Sequence, residues 1–272
     1  MKKFIAVVLV ICAVLTYKFY NSEKTRVLRV GMECAFEPNN WEEKKKSDSN
    51  MPLVNNPGFY AEGYDLQIAK IVAASLNANL EVKKVAWGDL PRALNEGEID
   101  AIFSGMLDTS KRREFAVFSE PYDITKPEYT VMINTSSKYV NAKTLNDFAG
   151  AKFVAQKGTL LDNAIDQIPG VIHMTPVETV PEMLEAVIKG EADGTVINLD
   201  TGRSYEATHN NLKVIRFPEG QGFKLDFNGI CAGVRKEDTK LLSEINDVIT
   251  GISRKDRQKL MDNVIARLWR NM

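Results

Sequence analysis

The most chemically suggestive stretch of this sequence is a loop of small residues running toward an arginine. After the predicted strand Ile99–Phe103 come Ser104-Gly105-Met106-Leu107-Asp108-Thr109-Ser110-Lys111-Arg112-Arg113. The spacing predicts a loop that enters a helix capped by Asp108 or Thr109, where free backbone N–H groups and the positive end of the helix dipole attract anions. Arg112, one turn in, would add a planar two-pronged contact to a carboxylate. The competing reading is that Arg112 and Arg113 only decorate a solvated helix face. A second loop, Gln156-Lys157-Gly158-Thr159, follows the apolar Phe153–Ala155 and again offers backbone donors and a hydroxyl. Asn198-Leu199-Asp200 ends another apolar run, and its polar groups could face a ligand ammonium or could simply cap a turn. Phe36 and Trp87 each stand just past a strand pattern. Singly, such aromatics seal the edge of a core; together they could sandwich an ammonium-bearing group, with Glu33 adding a carboxylate.

Catalysis finds no support in the same inventory. There is no G-x-S-x-G, P-loop or G-x-G-x-x-G, and neither His173 nor His209 has a Ser or Cys companion. No Cys or His spacing suits a metal. The expectation is a binding site with no catalytic residue, no metal and no cofactor.

These residues need elements to hold them at strand ends. Leu28, Val30 and Met32 alternate as a first strand ending at Glu33 and Cys34. The segment from Glu37 to Gly63, with three prolines, three consecutive lysines and several Asn, reads as a surface loop or hairpin. A helix is predicted from Asp65, taken as its cap, with Leu66, Ala69, Ala73 and Leu76 on one face. The most informative pattern is a repeat: Leu94-Asn95-Glu96-Gly97-Glu98-Ile99-Asp100 and Val187-Ile188-Lys189-Gly190-Glu191-Ala192-Asp193 both read as helix, Gly-Glu-x-Asp turn, then strand. The chain builds one unit twice. Alternating strands and helices imply open α/β sheets, whose ligands sit beyond the carboxyl ends of the strands. Gly229–Val234 reads as a further strand. Two helices follow, with Leu241, Ile245, Val248 and Ile252 on one and Leu260, Val264 and Leu268 on the other.

A length of 272 residues favours two compact units. Hydrophobic residues at 44% and charged residues at 26% are an ordinary globular balance. A formal charge of -1 argues against nucleic acid, which needs clustered Lys and Arg. Lys2 and Lys3 before the apolar run Phe4–Val14 form an export signal, with no small-x-small cleavage site after it. Retention as a membrane anchor is one outcome, and lipidation at Cys12 another, although Ile11 is not the small residue such sites favour. An oxidising compartment would permit Cys34 and Cys231 to pair.

Several of these motifs also carry a resemblance. Trp87-Gly88-Asp89-Leu90-Pro91, Gly97-Glu98-Ile99-Asp100-Ala101-Ile102, Ser104-Gly105-Met106, Thr109, Arg112 and Phe118-Ser119-Glu120-Pro121-Tyr122 closely resemble the polar amino acid-binding family of ABC importers, with Gly63-Tyr64-Asp65 and Gly158-Thr159 extending the match. The resemblance implies a two-lobed periplasmic-binding-protein-like α/β fold of type II, each lobe an open, mainly parallel sheet flanked by helices. It divides the chain into a signal peptide or anchor at 1–22, a first lobe at 27–123 and 230–272, and a second at 127–225. The crossings fall near Asp123–Pro127 and Gly222–Gly229. It implies a monomer, outside the cytoplasm and tethered through the N-terminal segment, that captures an amino acid or related small carboxylate by hinge closure and serves ABC permease and ATPase subunits. The family's carboxylate-clamping arginine falls on Arg112, its loop donors on Ser104, Gly105 and Met106, its stacking aromatics on Phe36 and Trp87, and its acidic or polar side-chain contact on Glu33. Thr159 falls in the second-lobe loop that meets the carboxylate. Three positions depart. Leu107 and Leu160 replace polar residues, and Asn198 stands where many relatives place the acid that pairs with the α-ammonium, so either Glu33 or Asp200 supplies that charge or the ligand lacks an ordinary amino acid head group. A dehydratase resembling cyclohexadienyl dehydratase and a sensory ligand-binding module are the alternatives on the same fold.

Overall fold

The computed structural model describes residues 26–123, 128–225 and 229–270; the export segment, Cys12 and the middles of both expected crossings lie outside the described residues. Strand β1 (Arg26–Met32) turns Leu28, Val30 and Met32 into the interior. Strands β2 (Ala35–Phe36), β3 (Asn40–Glu43), β4 (Met51–Pro52) and β5 (Tyr60–Glu62) then form a small antiparallel sheet in the order β2-β3-β5-β4. Of the expected loop or hairpin, the hairpin alternative is realised, and it is more regular than expected. Trp41, Leu53 and Ala61 from this segment are buried in the first core, and that burial holds the strands in place while Lys44–Lys46 stay exposed.

Helix α1 (Tyr64–Ser75) starts two residues earlier than predicted, its cap being Gly63 rather than Asp65. Only glycine fits there: φ is 124°, and a Cβ would stand 2.3 Å from the Asn39 carbonyl oxygen. Asp65 is therefore in the first turn and fully buried. After β6 (Ala78–Lys84), α2 (Leu90–Asn95), β7 (Ala101–Ile102) and β8 (Val117–Phe118), the chain passes to β9 (Tyr129–Asn134). The helix expected past Asp108 is a three-residue 3-10 turn, Arg112–Glu114, with Thr109 Oγ1 accepting from the Arg112 N–H at 3.3 Å. Three residues build no macrodipole, so the anion attraction at this loop rests on Arg112 itself.

The remaining elements are β10 (Lys152–Phe153), α3 (Leu160–Ile165), β11 (Ile172–His173), α4 (Val180–Ile188), β12 (Gly194–Asn198), α5 (Leu199–Thr208), β13 (Leu212–Ile215), β14 (Gly233–Val234), α6 (Thr239–Gly251) and α7 (Arg254–Arg270). Two five-stranded sheets result, β6-β1-β7-β14-β8 and β11-β10-β12-β9-β13. In each, four strands run in one direction and the fourth in order, β14 or β9, runs antiparallel to both its neighbours.

The sequence repeat is a repeat of hydrogen bonds. Gly97 and Gly190 both take φ of 74°, ending α2 and α4 in the left-handed region. Asp100 accepts from the Arg29 N–H at 2.9 Å and donates its own N–H to Arg29 O at 2.7 Å. Asp193 does the same to Lys152, at 2.8 and 2.7 Å. In both copies one aspartate fixes a strand to its parallel neighbour.

The first core gathers residues from Leu28 to Tyr122 and from Ala232 to Leu268, so α6 and α7 pack with β1 and α1. A smaller cluster, Leu90, Leu94, Ile99, Ile102 and Met106 among it, covers α2. The second core runs from Val131 to Ile215. Cys34 and Cys231 are buried free thiols, each pushed up to about 12 by burial.

Candidate functional site

A cavity opens between the two sheets, and the loops after β1, β7, β10 and β12 line it. Of the nine residues predicted from sequence, Glu33, Phe36, Trp87, Ser104, Gly105, Arg112, Thr159 and Asn198 reach it. Met106 is not among its lining residues: its side chain is buried in the cluster around α2, while its carbonyl accepts from the Cys231 N–H at 2.8 Å.

Arg112 is 9% exposed. Its guanidinium donates to Leu107 O at 2.9 Å and lies 4.9 Å from the centre of the Trp87 ring. Among the described residues it forms no ion pair, and burial lowers its pKa to about 10. A buried cation without a carboxylate is costly, and a ligand carboxylate would remove that cost.

Three loops behind the cavity are tied together. Ser104 Oγ accepts from the Glu33 N–H at 2.9 Å. Asp65 accepts from Tyr122 Oη and Asn40 Nδ2, both at 2.7 Å, and Asn40 Oδ1 accepts from the Cys34 N–H at 2.7 Å. Those bonds hold Cys34 at φ 58° and brace the loop that presents Glu33 and Phe36. Gly105, at φ 62°, lets the Phe36 ring approach to 2.9 Å of where a Cβ would stand.

Glu33 is almost fully buried, and burial pushes its carboxyl up to about 7 against the hydrogen bond from Gln156. That bond spans the cavity: Gln156 Nε2 is 2.5 Å from Glu33 Oε1 and also donates to Glu178 O at 2.9 Å. Sequence reasoning placed no weight on the Gln156 side chain. Its position directly past β10 was the available signal, but its partner lies 123 residues away.

On the other side of the cavity the predicted polar atoms serve helix ends. Thr159 caps α3, accepting from the Asp162 N–H at 3.2 Å and donating to Gln156 O at 2.8 Å. Asn198 caps α5, its Oδ1 accepting from the Thr201 N–H at 2.8 Å. The turn reading of Asn198 is the one realised for that oxygen, which is committed to the backbone. Asp123 and Asp200 also line the cavity. Partial burial, with Asp123 and Glu128 nearby, raises the Asp200 carboxyl against the pull of Arg203. Among the described residues no group of His, Cys, Asp or Glu is arranged to hold a metal ion, and no helix is long and apolar enough to cross a membrane.

Comparison with known proteins follows the same lines. The sequence profile of the bacterial extracellular solute-binding proteins, family 3, matches residues 28–264. A probable histidine-binding protein of Campylobacter jejuni is 26% identical over 211 residues, 75% of this chain and 73% of that protein. A membrane-bound lytic murein transglycosylase F of Desulfosudis oleivorans is 28% identical over 192 residues, which span 68% of this chain but only 39% of the relative. The arginine-bound form of truncated ArgBP from T. maritima superimposes with a TM-score of 0.68 at 25% identity, covering 84% of this chain and 96% of that one.

Proposed function

The chain belongs to the bacterial extracellular solute-binding proteins, family 3, and we propose that it captures an amino acid outside the cytoplasm and delivers it to the permease and ATPase subunits of an ABC importer. The observation that carries this reading is Arg112: a buried guanidinium, under an aromatic ring and with no ion-pair partner among the described residues, in a cavity that also holds carboxylates. That polarity suits a zwitterion. Its carboxylate meets Arg112, while Glu33, Asp123 and Asp200 surround its positive end.

In this reading residues 27–123 and 230–272 form one lobe and 127–225 the other, hinged where the chain crosses between them. Ligand docks first on the Arg112 side, with Phe36 and Trp87 beside it, and closure brings up the Gln156–Thr159 loop and the start of α5. A ligand that touches both sides stabilises the closed form, and the closed surface is what the importer reads. The N-terminal segment keeps the protein at the membrane. The names of the relatives, histidine-binding and arginine-bound among them, favour an amino acid cargo. The protein binds its cargo without altering it.

One observation favours an enzyme instead: Glu33 sits in the cavity with its carboxyl near 7, a range suited to general acid chemistry. The Gln156 amide already occupies that carboxyl, which weighs against it. The test is a thermal-shift panel of amino acids in both stereochemical forms with small dicarboxylates. Ligand at ~100 times its dissociation constant adds roughly 2.7 kcal/mol, a rise of several degrees. One or a few amino acids are expected to respond, to be recovered with unchanged mass, and to lose the response in Arg112→Ala. A response that survives Arg112→Ala, or a ligand recovered dehydrated, would end this reading.

A further inference from the structure

Ser104, Thr159 and Asn198 each spend a side-chain oxygen on their own side of the cavity, holding the Glu33 N–H or a helix start. Gln156 does not. Its backbone belongs to the second sheet's side, where it pairs with Val177 in a parallel bridge and its carbonyl accepts from Thr159 Oγ1 at 2.8 Å. Its carboxamide has two N–H bonds and divides them. One goes to Glu178 O at 2.9 Å, on the same side; the other goes to Glu33 Oε1 at 2.5 Å, just past β1 of the first sheet.

Both ends of this cross-cavity bond are held. Glu178 lies at the start of α4, its N–H taken by Glu182 Oε2 at 3.1 Å beside the capping box of Thr179 and Glu182, so the carbonyl that orients the amide is itself fixed. Glu33 is fixed through its N–H by Ser104. Gln156 is 6% exposed and Glu33 4%, and both line the cavity. The two sides also meet close by: Phe36 packs against the second core, and Trp87 Nε1 lies 3.8 Å from where a Cβ on Gly158 would stand. A hydrogen bond to a carboxylate belongs to the stronger class, and here it joins two anchored groups across a cleft using protein atoms alone.

We propose that Gln156 is a positioning residue: it ties the two sides of the cleft together through Glu33, so that the protein itself supplies part of the drive to close. This rests on the amino acid capture reading above and deepens it. Apparent affinity is the intrinsic affinity scaled by the fraction of protein in the binding-competent form. A tie that raises the closed fraction therefore strengthens every cargo by one common factor, whereas a direct contact with the cargo would favour particular side chains.

The test compares wild type with Gln156→Ala, Glu33→Ala, the two combined, and Gln156→Lys, whose ammonium keeps donors for both Glu33 and Glu178 O. Closure is read on the full chain without ligand, as the separation of spin labels at Asn95→Cys and Glu191→Cys, both exposed, at the end of α2 and just past α4. Affinity for L-histidine, L-arginine and L-glutamine is read by calorimetry. Gln156→Ala is expected to widen the separation and to weaken each amino acid that binds by the same factor, about tenfold. The combined variant should be no more open than Gln156→Ala, because both removals delete one bond, and Gln156→Lys should stay as closed as wild type. An unchanged separation in Gln156→Ala, openings that add in the combined variant, or a Gln156→Lys protein as open as Gln156→Ala would each overturn the inference and leave amino acid capture standing. So would losses in Gln156→Ala that differ tenfold between amino acids. A wild type that binds no amino acid overturns the capture reading instead, and the label separations still decide whether the tie exists.

Discussion

The two sides of the cavity are built from the same α/β unit yet handle their polar atoms in opposite ways. On the first side, Arg112 and Glu33 are buried charges in tension with their surroundings, one lowered to about 10 and the other raised to about 7 by burial, and the loops that carry them are tied by Ser104, Asn40 and Asp65. On the second side, Thr159 and Asn198 are relaxed, since each spends its side-chain oxygen on a helix end. The first side stores unfavourable electrostatics that a ligand can relieve; the second contributes a frame. A repeated fold therefore does not imply a repeated role.

The contrast breaks most easily at Glu33. Its folded pKa lies above the unfolded value of ~4.3, so its contribution to stability is complete below ~4.3 and is lost as pH rises through about 7. Glu33→Gln should therefore flatten the fall of the melting temperature between those pH values and gain on the order of 3 kcal/mol at pH 8 over wild type. Asp65, also raised to about 7 by burial, acts in the same direction and should leave a residual slope. A Glu33→Gln protein whose pH profile matches wild type would show that the first side is not strained.

Thr159→Ala probes the second side with a smaller expected effect. Loss of a capping hydroxyl costs about 1 kcal/mol, seen as a lower melting temperature with or without ligand. If affinity fell tenfold with stability unchanged, Thr159 would be a ligand contact first and a frame second, and the contrast would blur. The smallest effect is expected at His173, whose ring nitrogens reach Asp162 and Asp166 at 2.9 and 2.8 Å. Burial opposes its charge, but the two aspartates prevail and raise its pKa. Its stabilisation is therefore full below ~6.5 and disappears as pH climbs past the raised value. His173→Gln should cost roughly 0.5 kcal/mol at pH 6 and nothing at pH 9, read by denaturant titration at both.

What the sequence disclosed was local chemistry at strand ends. Gly97 and Gly190 with their aspartates announced two parallel crossovers because a left-handed glycine and a backbone-binding carboxylate act within a few residues of each other. Arg112, Trp87 and Thr159 were legible for the same reason. Features made by distant pairing were not. Nothing near Trp41 or Ala61 indicates that they belong to the first core, so the β2–β5 sheet read as a surface loop or hairpin. Asp65 looks like a cap until Tyr122 and Asn40, 57 and 25 residues away, are brought to it.

The way the two cores are threaded has a consequence for biosynthesis. The second is drawn from one continuous stretch, Val131–Ile215, whereas the first needs Leu28 and Leu268 in the same cluster. As the polypeptide emerges beyond the membrane from its N-terminus, the second core can close while the first still lacks α6 and α7. Closing a loop of such length is slow, and until then β1 and α1 expose apolar surface. The half that holds Arg112 is thus the last to be finished, and truncation anywhere in the final two helices should yield a molecule with one sound half and no grip on its cargo.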